Sequence, residues 1–212
     1  IKRLVGNLQQ ATDFISNITN GNYDISWPGM TKENEKLNNH NIAGELNTMR
    51  DQMKKVKDED EKRIWSSQGL SDFAAIIRNN QHDFKSLSVE LISNIVKYLN
   101  IQMGGLFILN TDNEDKLYLE LTGCYAYNRV KTLEKKVPPG KGLVGQCFLE
   151  GDTIYMKEVP QDFVNITSGL GDARPNCVLI VPLKLNDRIE GVIELASLKP
   201  FAEHEIEFIE KL

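Results

Sequence analysis

Two different spacings of apolar residues divide the chain. Over residues 1–20, Leu4, Leu8, Ala11, Ile15 and Ile18 recur at steps of 4, 3, 4 and 3. That heptad seam is the pattern of a helix that pairs with another helix in a coiled coil. The same steps return at Ile42, Leu46, Met49, Met53 and Val56. Between the seams, Gly21 and Asn22 end the first helix and Pro28-Gly29 marks a turn. Tyr23, Ile25 and Trp27 alternate with polar residues, which predicts an extended segment laid against the helices. A connector of that length, about 21–40, lets the two helices run parallel. Beyond Val56 the seam calls for apolar residues at 60 and 63, but Asp60 and Arg63 stand there and Ile64 follows. The helix continues through a charged stretch with its apolar stripe shifted in phase. Leu70, Phe73, Ala74 and Ile77 then restore helical spacing until Asn79 and Asn80 break it.

From Asp83 the pattern changes. Asp83 can cap a new helix whose apolar face is Leu87, Leu91, Ile95, Val96 and Leu99. Gly104-Gly105 leads into a buried strand at Leu106–Leu109, and Leu117, Leu119 and Leu121 alternate with polar residues in a second. Pro138-Pro139-Gly140 ends a strand, and Leu143, Val144, Cys147 and Phe148 fit a short helix closed by Gly151. Thr153–Met156 is strand-like, and 161–176 reads as a polar loop. Cys177–Leu185 and Ile189–Ala196 form a hairpin around Asn186-Asp187-Arg188. A helix from Glu203 turns Ile206, Ile209 and Leu212 inward. The fold class is α+β: parallel coiled-coil helices joined by a long helix to an antiparallel sheet flanked by helices.

Charge and cysteine content narrow the function. Residues 1–69 carry 10 basic and 10 acidic side chains, so the net charge of −5 belongs to the remainder. Neither part offers the basic stripe of a nucleic-acid binder. Cys124, Cys147 and Cys177 are odd in number and far apart, and His40, His82 and His204 are scattered. A disulfide framework or a metal site is not expected. No apolar run is long enough to span a bilayer. The opening at Ile1 and the uncapped final helix lead us to expect further chain on both sides.

Two family resemblances follow from these residues. Helix, Gly-x-Tyr-x-Ile connector and a helix beginning IAGELNTMRDQM resemble a HAMP domain over residues 1–56. Asn41 stands where such second helices usually carry an acid. Residues 57–78 would be a signalling linker helix. PPGKGLVGQCF and CVLIVPLKLNDRIEGVIELASLKPF, followed by an acidic helix, resemble a GAF domain over 79–212, a fold related to PAS domains. The order HAMP then GAF resembles the cytoplasmic portion of bacterial inner-membrane receptors in two-component systems. The resemblance implies a parallel homodimer, a membrane segment upstream of Ile1, and a missing output domain in cis. The alternative is a cytosolic small-ligand- or redox-binding module with a dimerisation stalk.

The chemistry expected of the GAF-like part is binding, not catalysis. No cysteine is followed by His, as covalent bilin attachment favours; no His is placed for haem; no Asn-Lys-x-x-Phe-Asp-Glu signature of cyclic-nucleotide binders occurs. Gly140–Gly145 lacks the Gly-Lys-Ser/Thr spacing of a phosphate loop. A GAF subgroup reduces free methionine sulfoxide with cooperating cysteines, and Cys124 and Cys177 are placed to meet across the sheet; each nonetheless sits among apolar residues, where a thiol is inert. The candidate pocket is the loop carrying Phe163, Asn165, Ile166, Thr167, Ser168, Leu170, Asp172 and Arg174, a mix suited to a small polar ligand.

Overall fold

The computed structural model describes residues 2–31, 41–80, 83–112, 117–126, 129–130, 134–160, 166–168, 171–186 and 188–212. It divides into two units, Ile1–Trp65 and Ser66–Leu212.

In the first unit, helix α1 (Lys2–Thr19) and the first part of α2 (Ile42–Asn79) are joined through the connector. The extended segment lies along α2 in reverse. Lys57 stands over the Tyr23 ring, Lys54 pairs with Asp24 at 2.6 Å, and Arg50 donates to the Ile25 carbonyl. Trp27 packs on Phe14 with ring centroids 5.5 Å apart. Asn7, Leu8 and Ala11 near the start of α1 share a groove of about 400 Å³ with Asn41–Ala43 at the start of α2. The two helices therefore run parallel.

α2 is one uninterrupted helix of 38 residues, and its last turns belong to the second unit. The charged stretch does not break it, because Lys, Glu and Arg are good helix formers and pair along the surface, as Lys55 with Glu59 and Lys57 with Glu61 do.

In the second unit α3 (Phe84–Tyr98) starts at Asp83, whose carboxylate accepts from the Lys85 and Ser86 amides. The sheet contains β1 (Met103–Asn110), β2 (Tyr118–Ala126), β3 (Arg129–Val130), β4 (Lys136–Val137), β5 (Ile154–Met156), β8 (Cys177–Leu185) and β9 (Arg188–Ser197). Its order is β3-β2-β1-β9-β8-β5, with β4 also on β2, and every pairing is antiparallel. Helix α4 (Gly142–Glu150) lies against one face, and α5 (Glu203–Lys211) ends the chain.

Two expectations change. The segment expected as an irregular loop holds a small hairpin of its own, β6 (Ile166–Ser168) paired with β7 (Gly171–Ala173). Three-residue strands are too short for period-two alternation to reveal them. The buried face of α3 is rotated from the expected leucine stripe: Ser88, Ile92, Ser93, Ile95 and Val96 are buried, while Leu87 and Leu91 are half-buried. Small serines let the helix sit close to the sheet. Each serine hydroxyl bonds back within the helix, Ser88 to Phe84 O at 2.8 Å and Ser93 to Val89 O at 2.6 Å. The approach is so close that a Cβ on Gly123 of β2 would lie 2.5 Å from the Ser88 carbonyl oxygen. Burying Ile92, Ile95 and Val96 contributes on the order of 1.5–3 kcal/mol each.

The end of α2 and the final helix also meet within this unit. Phe73 and Phe208 are fully buried with centroids 5.9 Å apart, and Tyr98 closes the cluster 5.2 Å from Phe208. Gly69 makes room for them, since a Cβ there would come within 2.7 Å of the Phe208 ring and the Tyr98 hydroxyl.

Candidate ligand face of the sheet

The register assigns the side chains of the sheet to two faces, because neighbours along a strand alternate and cross-strand partners share a side. On the face covered by α4, Phe107, Leu119, Val178, Ile180, Val192 and Ala196 pack with Val144 and Cys147. The central row runs Cys124, Gly105, Glu194, Ile180, Ile154 across β2, β1, β9, β8 and β5. Glu194 therefore projects to the same side as Phe107 and Val192. Its nearest neighbours on that side of β9, Val192 and Ala196, are apolar and buried.

Glu194 is half-buried. Burial pushes its carboxyl above the ordinary carboxylate range, and Lys135 opposes that shift. Lys135 is held beside β2 by its carbonyl, which accepts from the Leu121 amide at 2.9 Å. Its ammonium stands 5.7 Å from the centroid of the Phe107 ring. Among the described residues no hydrogen bond to the Glu194 carboxylate is made. Gly105 contributes no side chain between Cys124 and Glu194, and its neighbours close over it: a Cβ there would lie 3.2 Å from both the Leu121 and the Phe107 side chains.

The cysteines do not form a cooperating set. Cys124 is on the Glu194 side, whereas Cys177, next to Val178 on β8, points to the opposite face. Three strand spacings separate β2 from β8, about 14 Å, so the expected meeting of Cys124 with Cys177 does not occur. Cys177 is buried against the backbone, with Sγ 2.8 Å from the Lys199 carbonyl oxygen, and burial raises its pKa. Cys147 is fully buried on α4 and its thiol is pushed up to about 12, chiefly by burial and then by Glu150, with Lys184 opposing. All three cysteines are buried.

Of the pocket residues expected from sequence, Phe163, Asn165 and Leu170 lie outside the described residues. Ile166, Thr167 and Ser168 are on β6 and Asp172 on β7, where the backbone alone is described; Arg174 is exposed. Of the seam residues, Leu8, Ile15, Ile42, Met53 and Val56 are exposed at 43–66%. Ala11, Leu46 and Met49 are half-buried, and Ile18 is buried within the unit. Leu4 lies on α1, with its side chain outside the description. Among the described residues no group of three His, Cys, Asp or Glu is arranged to hold a metal ion. Glu194 and Lys135 were not singled out from sequence. No sequence signal marked Glu194, since period-two alternation puts it in phase with the polar Arg188 and Glu190.

A central antiparallel sheet with α3 and α5 on one side and the short α4 on the other defines an α+β sensor-type fold. The family model described as GAF_2, GAF domain, matches residues 81–212, more than half of the sequence, and the chain belongs to the GAF domain family. That match does not extend over the helices before residue 81. Among solved structures, the A. aeolicus nlh2 GAF domain in an inactive state is similar at 17% identity and a TM-score of 0.54, covering 71% of this chain and 91% of that one. A structure described simply as the GAF domain is similar at 20% identity and a TM-score of 0.53, covering 71% and 84%. A free methionine-R-sulfoxide reductase from Neisseria meningitidis, in complex with its substrate, aligns at 16% identity and a TM-score of 0.49, covering 66% and 77%. At these identities the likeness concerns the fold. No curated protein matches. No helix among the described residues is long and apolar enough to cross a membrane.

Proposed function

We propose that the chain is a non-catalytic sensor and relay of a bacterial signal-transduction receptor. Residues 1–56 act as a HAMP-like relay, 57–78 as a linker helix, and 79–212 as a GAF domain that binds a small ligand on the Glu194 face and near 163–174. Two copies pair in parallel through the exposed seam. A membrane segment before Ile1 supplies the input, and an output domain after Leu212 receives it, on the cytoplasmic side of the inner membrane.

One observation carries this reading. The last turns of α2 touch the final helix directly, through Phe73, Gly69 and Phe208. A helix that arrives from the stalk and a helix that leaves toward the C-terminus thus share one aromatic contact. A change of phase in α2 is felt by α5 without passing through the sheet, which is what a two-state relay needs. Hydrogen exchange tests it. Met53→Asp places a charge in the seam; we expect it to separate the copies and to raise amide exchange across Glu203–Lys211. Unchanged exchange in that helix would sink the relay.

The buried thiols support the non-catalytic reading. A nucleophilic cysteine needs a thiolate stabilised near neutral pH, and Cys147 and Cys177 are shifted the other way. Titration of the folded chain with a thiol reagent at pH 8 is expected to leave Cys147 and Cys177 unmodified until denaturant is added. Rapid modification of either would remove this support, and turnover of free methionine sulfoxide would make the chain an enzyme.

A further inference from the structure

Resting on the reading that two copies pair in parallel along the seam, we infer that Asp60 and Arg63 form a charged layer across that pair, each copy's Arg63 meeting the other's Asp60. The partner that the middle of the stalk selects is then a second copy of this chain, held in register. The sequence supplies the place. The steps of 4 and 3 that run from Ile42 to Val56 land next on Asp60 and Arg63, and α2 continues through both as one helix. At about 100° of turn per residue, Asp60 lies within about 40° of Met53, Val56 and Ile64 around that helix. All three of these apolar side chains are exposed. Asp60 therefore stands in the middle of a water-exposed apolar stripe, with apolar residues before and after it.

Charge supplies the partner. In the single chain the Arg63 guanidinium lies 2.9 Å from the Asp60 carboxylate, with both side chains open to solvent. Such an exposed pair contributes little by itself. The charges beside the stripe are matched along the same helix, Lys55 with Glu59 and Lys57 with Glu61. When two helices pair in parallel, each seam side chain fits among four residues of the facing helix, the next seam position among them. Asp60 of one copy then reaches Arg63 of the other, and the reverse pair forms by symmetry. Two acids and two bases alternate in one group, so no net charge enters the seam. A copy shifted by one heptad sets Asp60 and Arg63 against Met53 and Val56, which leaves both charges desolvated and unmatched across the seam. A polar layer of this kind fixes register at a cost in stability.

The test is a charge exchange in the full chain, with homodimer and heterodimer read by native mass spectrometry and sedimentation. Asp60→Arg makes the layer wholly basic, and Arg63→Asp makes it wholly acidic. Each variant alone is expected to pair at least about tenfold more weakly than the parent, because like charges then face each other. A mixture of the two is expected to pair as heterodimer with close to the parent's affinity. Asp60→Arg and Arg63→Asp placed together in one chain are expected to restore the homodimer. Helix content by circular dichroism reports whether each variant is folded. Homodimers of both single variants as tight as the parent would overturn the charged layer while leaving the pairing in place. Weakened variants that do not recover on mixing would also overturn it, since the two residues would then act within one helix. A parent chain that stays monomeric would overturn the pairing and the layer together.

Discussion

Glu194 faces Gly105 across two neighbouring strands, with its carboxyl raised above the ordinary range by burial. A carboxyl raised in the folded state favours its protonated form there. Its charge therefore costs nothing below the ordinary carboxyl pKa of 4.5 and costs stability as pH rises through the folded value. Glu194→Gln is expected to raise the melting temperature at pH 7, with the gain vanishing as pH falls below 4.5. A variant that melts lower than the parent at pH 7 would mean that the carboxylate is satisfied and structural. At this scale the sequence was only partly legible. Asp83 could be read as a cap because a short acid before an apolar-periodic run has one local meaning, and its carboxylate does accept from the first-turn amides. Glu194 could not be read, because its meaning depends on Gly105, 89 residues earlier in the chain, and on a lysine outside the strand.

Helices were legible where one face decides them. The steps of 4 and 3 along α1 and α2, the break after Asn79 and the short helix ending before Gly151 all follow from local pattern. The details of packing were not. Ile18 faces inward although it continues the seam, because Phe14 and the connector bury that side of α1. The buried side of α3 centres on two serines, which no hydrophobic count would choose. On α2, Asn47 is buried and its Oδ1 has no hydrogen-bond partner among the described residues. An unsatisfied buried amide oxygen costs about 1–3 kcal/mol, whereas an apolar group of similar size costs none of that. Asn47→Leu is expected to raise the thermal stability of the stalk by a corresponding amount, read by helix melting in circular dichroism. A lowered melting temperature would show that Asn47 is paired across the seam, as a polar residue that fixes register is.

For the whole molecule, the GAF fold was written in short-range patterns that agree with one another: a capped helix, alternating strands, a tight hairpin and a final amphipathic helix. The strand order was not, since it depends on β1 lying between β2 and β9, far apart in sequence. The same limit misplaced Cys124 and Cys177 as neighbours. The stalk differs in kind. Its exposed Leu8, Ile15, Ile42, Met53 and Val56 form a stripe that a single chain leaves open to water, and covering it with a second copy removes that cost. The proposed relay stands on this pairing. Because all three native cysteines are buried, a single introduced thiol can report it cleanly. The decisive measurement is oxidative crosslinking of Leu8→Cys beside Asp13→Cys, on the seam and on the opposite side of the same helix. A parallel dimer predicts rapid disulfide formation at position 8, a product of twice the 24.0 kDa chain mass, and little product at position 13. Equal, slow crosslinking at both positions, with a monomer in solution, would contradict it.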